Sequence, residues 1–195
     1  MPKKYSDTQK ENIRRDLRSM AERSLFHKGV KDTSVDELVK AVGIPKGTFY
    51  LFYGSKEELY HDVMVSFRIQ MQDEMLAMLQ ELDENHIVTS LTTVFSHLVE
   101  NIYARGIFKL LDRRTARLVS RSSEVDVMER EQKALLSFFR ELFGYFAIED
   151  EDDIARFHEA FQAIVYSMDK AQDMERPLDA YRLLLRGLML QLVGE

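Results

Sequence analysis

The chain has no cysteine and no tryptophan, and only 8 glycines and 3 prolines among its 195 residues. Without Cys there are no disulfides, thiolate zinc sites, iron–sulfur clusters or cysteine nucleophiles. Gly and Pro together are about half as frequent as in an average protein. A chain so poor in turn formers and rich in Leu, Met, Glu, Lys and Arg is expected to be all-α. No apolar, uncharged run approaches the ~18 residues of a membrane span, and no signal-like apolar run follows Met1. The expectation is therefore a cytoplasmic protein with no membrane partner.

Catalytic patterns are also missing. There is no GxGxxG, P-loop or GxSxG string. His158-Glu159 opens an HExxH-like string, but Gln162 stands where the second zinc ligand belongs. Glu58 and His61 form one ExxH pair, whereas a di-iron bundle needs two pairs and further carboxylates. The five histidines (27, 61, 86, 97 and 158) are scattered. The chain is expected to be no enzyme, with no cofactor, metal or catalytic residues.

The charge is present but unevenly placed. Lys and Arg number 27 against 33 Asp and Glu, a net −6 that taken whole speaks against nucleic-acid binding. Residues 1–60 carry 12 basic and 9 acidic side chains, net +3; residues 61–195 carry 15 and 24, net −9. Judged by region, the first third is the basic part.

Helix signals run the length of the chain. Ser6 with Gln9, Ser34 with Glu37 and Ser55 with Glu58 make three capping boxes. The first opens a helix with Ile13, Leu17, Met20, Ala21 and Leu25 at helical spacing, stopped at Gly29. The second opens a short helix through Val42, ended by Gly43-Ile44. Pro45 begins a very short third helix, and Ser55 starts a long fourth one through Phe67, Met71, Met75 and Met78. Further helices follow over Leu91–Ile102, from about Phe108 to Ser120, after Ser122-Ser123, after the acidic stretch 149–153 and from Pro177 onwards. The count is about nine helices and no strand.

The last helix is apolar on most of its circumference, with Leu178, Tyr181, Leu183, Leu184, Leu185, Leu188, Met189, Leu190 and Leu192. One buried face cannot accommodate them all. A terminal helix of this kind is expected at a subunit interface, and the default assembly is a symmetric dimer.

The strongest signal is TSVDELVKAVGIPKGTFYLFYGSKEEL, Thr33 to Leu59: helix, tight turn, short helix. A helix-turn-helix braces its second helix with its first and offers the second to the DNA major groove. That second helix offers Lys46, Gly47, Thr48, Tyr50 and Leu51. Lys46 suits a phosphate or guanine, Thr48 a phosphate or a thymine methyl, Gly47 a close backbone approach, and Tyr50 a ring with a donor at its tip. Phe49, on the opposite side, is expected in the core. Lys56 stands at the amide-rich start of the next helix, which favours phosphate. With Thr33, Ser34 and Phe52 these form the expected DNA-binding set.

In the string Val42-Gly43-Ile44-Pro45-Lys46-Gly47-Thr48-Phe49-Tyr50-Leu51-Phe52-Tyr53-Gly54-Ser55-Lys56-Glu57-Glu58-Leu59, the chain resembles the TetR (tetracycline-repressor) family of transcriptional regulators, over roughly residues 7–62. The resemblance implies a DNA-binding domain at 1–60 and an effector-binding and dimerisation domain at 61–195. It further implies a homodimer through the last two helices (about 153–173 and 177–193), forming a four-helix bundle on double-stranded, palindromic operator DNA. A small-molecule effector would release the operator by moving the fourth helix, and repression is favoured over activation. Two positions depart from the family pattern. Pro45 replaces a usual Ser, and Phe52-Tyr53 replaces a usual Tyr-Phe, leaving open which of the two aromatics contacts DNA.

Weaker constellations mark the expected effector set: Met71, Met75, His97, Asn101, Arg117, His158, Gln162 and Tyr166. Arg113, Arg114, Arg117 and Arg121 make an i, i+4 stripe that reads either as an anion site or as a solvated face paired with residues 149–153. Met71, Met75 and Met78 read as core or as a deformable pocket wall. His97 with Asn101, and His158 with Gln162 and Tyr166, read as satisfied seams or as groups orienting a ligand. The alternative to a DNA-binding regulator is a helical protein–protein adaptor; a membrane-surface protein would need a strongly basic amphipathic helix, which is lacking.

Overall fold

The computed structural model describes residues 5–81, 84–111, 115 and 126–194. Among the described residues there are nine α-helices, two 3-10 turns and no strand. The helices are α1 (Asp7–His27), α2 (Val35–Val42), α3 (Lys46–Phe49), α4 (Lys56–Leu79), α5 (Ile87–Ala104), α6 (Phe108–Leu111), α7 (Asp126–Gly144), α8 (Glu151–Ser167) and α9 (Pro177–Val193). No helix among them is long and apolar enough to cross a membrane.

Contacts divide the chain into two compact units. The first comprises residues 1–66 and 105–125, the second residues 67–104 and 126–195. Helix α4 contributes its first turns to one and the rest to the other.

In the first unit, α1 packs on α2 and α2 on α3. Two of the three expected capping boxes are formed in full, and at the third Glu58 reaches the N–H of Gly54 in place of Ser55. Ser6 Oγ accepts from Gln9 N–H while the Gln9 side chain takes Ser6 N–H, and Ser34 and Glu37 do the same for α2. At α4, Ser55 Oγ accepts from Glu58 N–H, and the Glu58 carboxylate takes the N–H of Gly54 at 2.7 Å. Leu17, Ala21 and Leu25 of α1 are fully enclosed, as are Phe49, Leu59, Tyr60 and Val63. Each such side chain the size of Leu contributes about 1.5–3 kcal/mol over leaving it in water. Gly43 closes α2 with φ +75°, the left-handed conformation that turns the chain into α3. Past α5, Gly106 (φ +69°) lets the chain run against α1, where a Cβ would lie 3.0 Å from the Cα of Phe26. Arg105 then pairs with Glu22 at 2.6 Å, and Lys109 Nζ donates to the Phe26 carbonyl.

The second unit is built on an aromatic centre. Phe95 of α5 meets Phe139 and Phe143 of α7 and Phe157 and Phe161 of α8, with ring centroids 4.9–5.7 Å apart. Such separations favour edge-to-face and offset pairs. Asp150 caps α8, its carboxylate accepting from the N–H groups of Asp152 and Asp153. Glu151 in the same acidic stretch pairs with Arg140 of α7 at 2.7 Å. Helix α9 lies on α5 and α8 through Tyr181, Leu185 and Met189. Its other side leaves Leu183 73% and Leu184 54% exposed, so the helix is apolar inside and out, as its sequence requires.

Candidate nucleic-acid interface

The putting together of α2 and α3 leaves few side chains outward. Lys46 and Gly47 are exposed, Tyr50 is 51% exposed and Leu51 67%. Behind them Phe49 is fully buried, with its ring edge-on to Tyr50 at 5.4 Å and tilted against Tyr53 at 5.8 Å. Pro45 occupies the N-cap position of α3 with an extended ψ of 146° and no side-chain cap. A Cβ at Gly47 would meet nothing within 4 Å, so the outer surface of α3 is open at that point.

Lys46 Nζ lies 3.0 Å from Asp36 Oδ2 of α2, and this hydrogen bond raises the affinity of the ammonium for its proton. Ser34, exposed, is committed to the α2 capping box. There the Glu37 carboxyl is lowered to about 2, first by the hydrogen bond from Lys28 and then by the N–H of Ser34.

The other expected DNA-binding residues are turned inward to different degrees. Thr33 is buried and its hydroxyl donates to the Gly29 carbonyl at 2.8 Å. Thr48 is buried, with Oγ1 3.3 Å from the hydroxyl of Tyr5. Lys56 Nζ donates to three carbonyls of the α1–α2 turn, Val30 at 2.8 Å, Lys31 at 3.2 Å and Thr33 at 2.7 Å. Phe52 is half-buried, with the Arg14 guanidinium over its ring at 5.5 Å. Tyr53 is 5% exposed and donates to Asp62 of α4 at 2.6 Å; burial, then the Asp62 carboxylate, pushes its phenol well above the ordinary range. Asp62 in turn faces Arg18 of α1 at 3.7 Å. Asp36, Arg14, Tyr5 and Asp62 are absent from the sequence-derived set, because each meets its partner through packing between segments and not through a fixed spacing.

Residues 17–63 match the family model described as bacterial regulatory proteins, tetR family. The match covers the helix-turn-helix part of the chain, which is similar to the DNA-binding domain of that family. Regulators of solved structure share the fold over most of the chain. FadR of Bacillus halodurans, a fatty acid degradation regulator, is 17% identical, covers 98% of this chain and 97% of its own, and superposes with a TM-score of 0.70. A TetR-like transcriptional regulator from Rhodococcus sp. RHA1 is 17% identical, with 98% and 100% covered and a TM-score of 0.64. FadR of Thermus thermophilus, a TetR-family repressor solved with lauroyl-CoA, is 17% identical, with 90% and 93% covered and a TM-score of 0.56. Among curated proteins none matches the sequence.

The structure also places the expected effector residues, all in the second unit except Arg117, which lies outside the described residues with the rest of its arginine stripe. Met71 and Met75 are buried on α4. His97 Nε2 lies 2.7 Å from Glu74 Oε2, and Asn101 donates to the His97 carbonyl at 2.9 Å. Gln162 and His158 are linked at 3.1 Å on α8, and burial lowers the His158 pKa, favouring the neutral ring that accepts this bond. Tyr166 is 45% exposed. Glu74 has no signature in the sequence, being 23 residues from His97. A surface groove of about 290 Å³ runs between α5 and α9, lined by Thr89, Thr92, Thr93, Asp179, Arg182, Leu183 and Arg186. It includes none of the expected effector residues.

Proposed function

We propose that this chain is a TetR-family repressor that binds a palindromic operator as a homodimer and is released by a small-molecule effector. The observation that carries the reading is the outward set Lys46, Gly47, Tyr50 and Leu51 on a four-residue helix braced by α2. Residues 1–60 read DNA; residues 61–195 dimerise and bind the effector. Lys46, Gly47, Tyr50 and Leu51 meet bases and phosphates, with Ser34 at the rim. Thr33, Thr48, Phe52 and Lys56 support that surface from behind or beside it.

One short helix reads few base pairs, so specificity comes from two copies on a two-fold site. The outward Leu183 and Leu184 of α9 support pairing through α8 and α9, since large apolar surface is rarely left in water. The effector site is assigned to the second unit, around Met71, Met75, His97, Asn101, His158, Gln162 and Tyr166. An effector loosens the operator only as far as it prefers the non-binding arrangement of α4. Lauroyl-CoA, the ligand of the Thermus thermophilus FadR structure, is the first probe to try. The place of action is the cytoplasm.

The test is selection of binding sites from a randomised duplex pool by the full-length chain, which should return an inverted repeat. Lys46→Ala should then weaken binding to the selected duplex and lower the salt slope by about one if Lys46 meets a phosphate, or relax one base pair if it reads guanine. If Lys46→Ala and Tyr50→Ala both left affinity untouched, the assignment of α3 would be wrong. Sedimentation at micromolar concentration separates the dimer from a monomeric adaptor.

A further inference from the structure

Helix α1 and the residue preceding its N-cap touch the recognition segment at two points. Just before the helix, the Tyr5 hydroxyl meets Thr48 of α3 at 3.3 Å. Two turns into the helix, the Arg14 guanidinium sits over the ring of Phe52 at 5.5 Å. Phe52 directly follows the exposed pair Tyr50 and Leu51, so Arg14 stands beside the surface that α3 offers.

The ring beneath it has no polar atom. The phenol that could donate a hydrogen bond belongs to Tyr53, which is turned inward onto Asp62. The half-buried Phe52 ring therefore cannot bond to a phosphate itself. A guanidinium attracted to a ring spends no hydrogen bond on it, so its N–H donors remain usable by an acceptor such as phosphate. Among the described residues Arg14 has an ion pair with Glu11 at 3.7 Å, and both side chains are largely in water, 45% and 62% exposed. Such a pair is weak and easily exchanged for a stronger acceptor. Arginine on phosphate is a two-donor, charge-assisted contact.

We propose that Arg14 is a DNA-backbone contact of this protein and that Phe52 is the positioning residue that holds its guanidinium at the rim of the recognition surface. The contact extends the interface from α2–α3 onto α1, and it supplies the phosphate bond that Phe52 cannot make. The proposal rests on the DNA-binding reading above.

The test uses the full-length chain and the duplex recovered by site selection, with affinity measured across a salt series. Arg14→Gln should weaken binding about tenfold and reduce the salt slope by about one. Arg14→Lys should keep the slope and lose part of the affinity, because charge is retained and the fork is not. Phe52→Leu should weaken binding in the native background and have no added effect with Arg14→Gln, the non-additivity expected of a coupled pair. Thermal melting of Arg14→Gln should match the native chain, since the side chain lies at the surface. Unchanged affinity and slope in Arg14→Gln, with Lys46→Ala still defective, would overturn the Arg14 contact and leave the DNA-binding reading standing. Additive losses from Phe52→Leu and Arg14→Gln would overturn the positioning role. A native chain that selects no duplex would overturn both readings together.

Discussion

Gly47→Ala separates what α3 needs for folding from what it needs for DNA. In the free chain the added methyl meets no atom within 4 Å, and Gly47 is not at a positive φ. Alanine there removes conformational freedom from the unfolded chain and is worth about 0.4–1 kcal/mol of stability. For a chain of this size that is about 1–4 °C in Tm. Against DNA the same methyl stands between the helix backbone and the groove, next to Lys46. Lifting the helix away by a methyl breaks at least one direct contact, each worth about 1–3 kcal/mol, so affinity should fall roughly 10- to 100-fold. Thermal melting by circular dichroism and fluorescence anisotropy with the selected duplex give the two readouts, and they should move in opposite directions. A raised Tm with unchanged affinity would show that Gly47 does not face the groove. A lowered Tm would show that the local backbone argument is wrong.

Other outcomes follow from the same surface and its supports. Asp36→Asn frees Lys46 and removes a negative charge beside the phosphates; duplex affinity should rise several-fold (roughly three to ten) and the salt slope steepen by up to about one, measured by salt titration. Because Asp36 lies in the first turn of α2, the change should cost under about 1 kcal/mol of stability. Gly106→Ala combines a left-handed φ with a Cβ 3.0 Å from the Phe26 backbone, whereas Gly43→Ala has only the φ. The expected losses are about 2–3 kcal/mol for the first and about 1–2 for the second, compared by urea midpoints. The Glu37 carboxyl is lowered from 4.5 to about 2 in the folded chain, so its contribution is present above pH 4.5 and lost as the pH falls towards 2. Glu37→Gln should therefore flatten the acid limb of stability in that window, read from urea midpoints down to about pH 2.

The sequence was legible wherever the cause of structure is local. Ser6 with Gln9 and Ser34 with Glu37 are three residues apart, so a capping box shows in the string and both form. Gly29 and Gly43 take the positive φ expected of helix stops. Phe49 is buried and α9 is apolar on two sides, both readable from helical periodicity. The contacts that shape the interface are of another kind. Lys46 meets Asp36 ten residues back, Phe52 meets Arg14 from another helix, and Glu74 reaches His97 across two helices. No spacing rule encodes those pairings, because they depend on how helices pack. The same holds for the swapped aromatics: the order Phe52-Tyr53 is visible in the string, but only Asp62, supplied by α4, explains where the phenol goes.

Lys56 works much as a bound potassium ion would, a cation seated among three carbonyl dipoles. Those carbonyls lie 23 to 26 residues earlier in the chain, in the turn that sets the direction of α2. The helix-turn-helix is therefore not a self-contained folding module. A fragment ending before Lys56 keeps α1, α2 and α3 but loses the charge that orders the turn between the first two. The turn becomes fixed only when α4 docks, so the DNA-reading surface and the start of the long helix should form in one cooperative step.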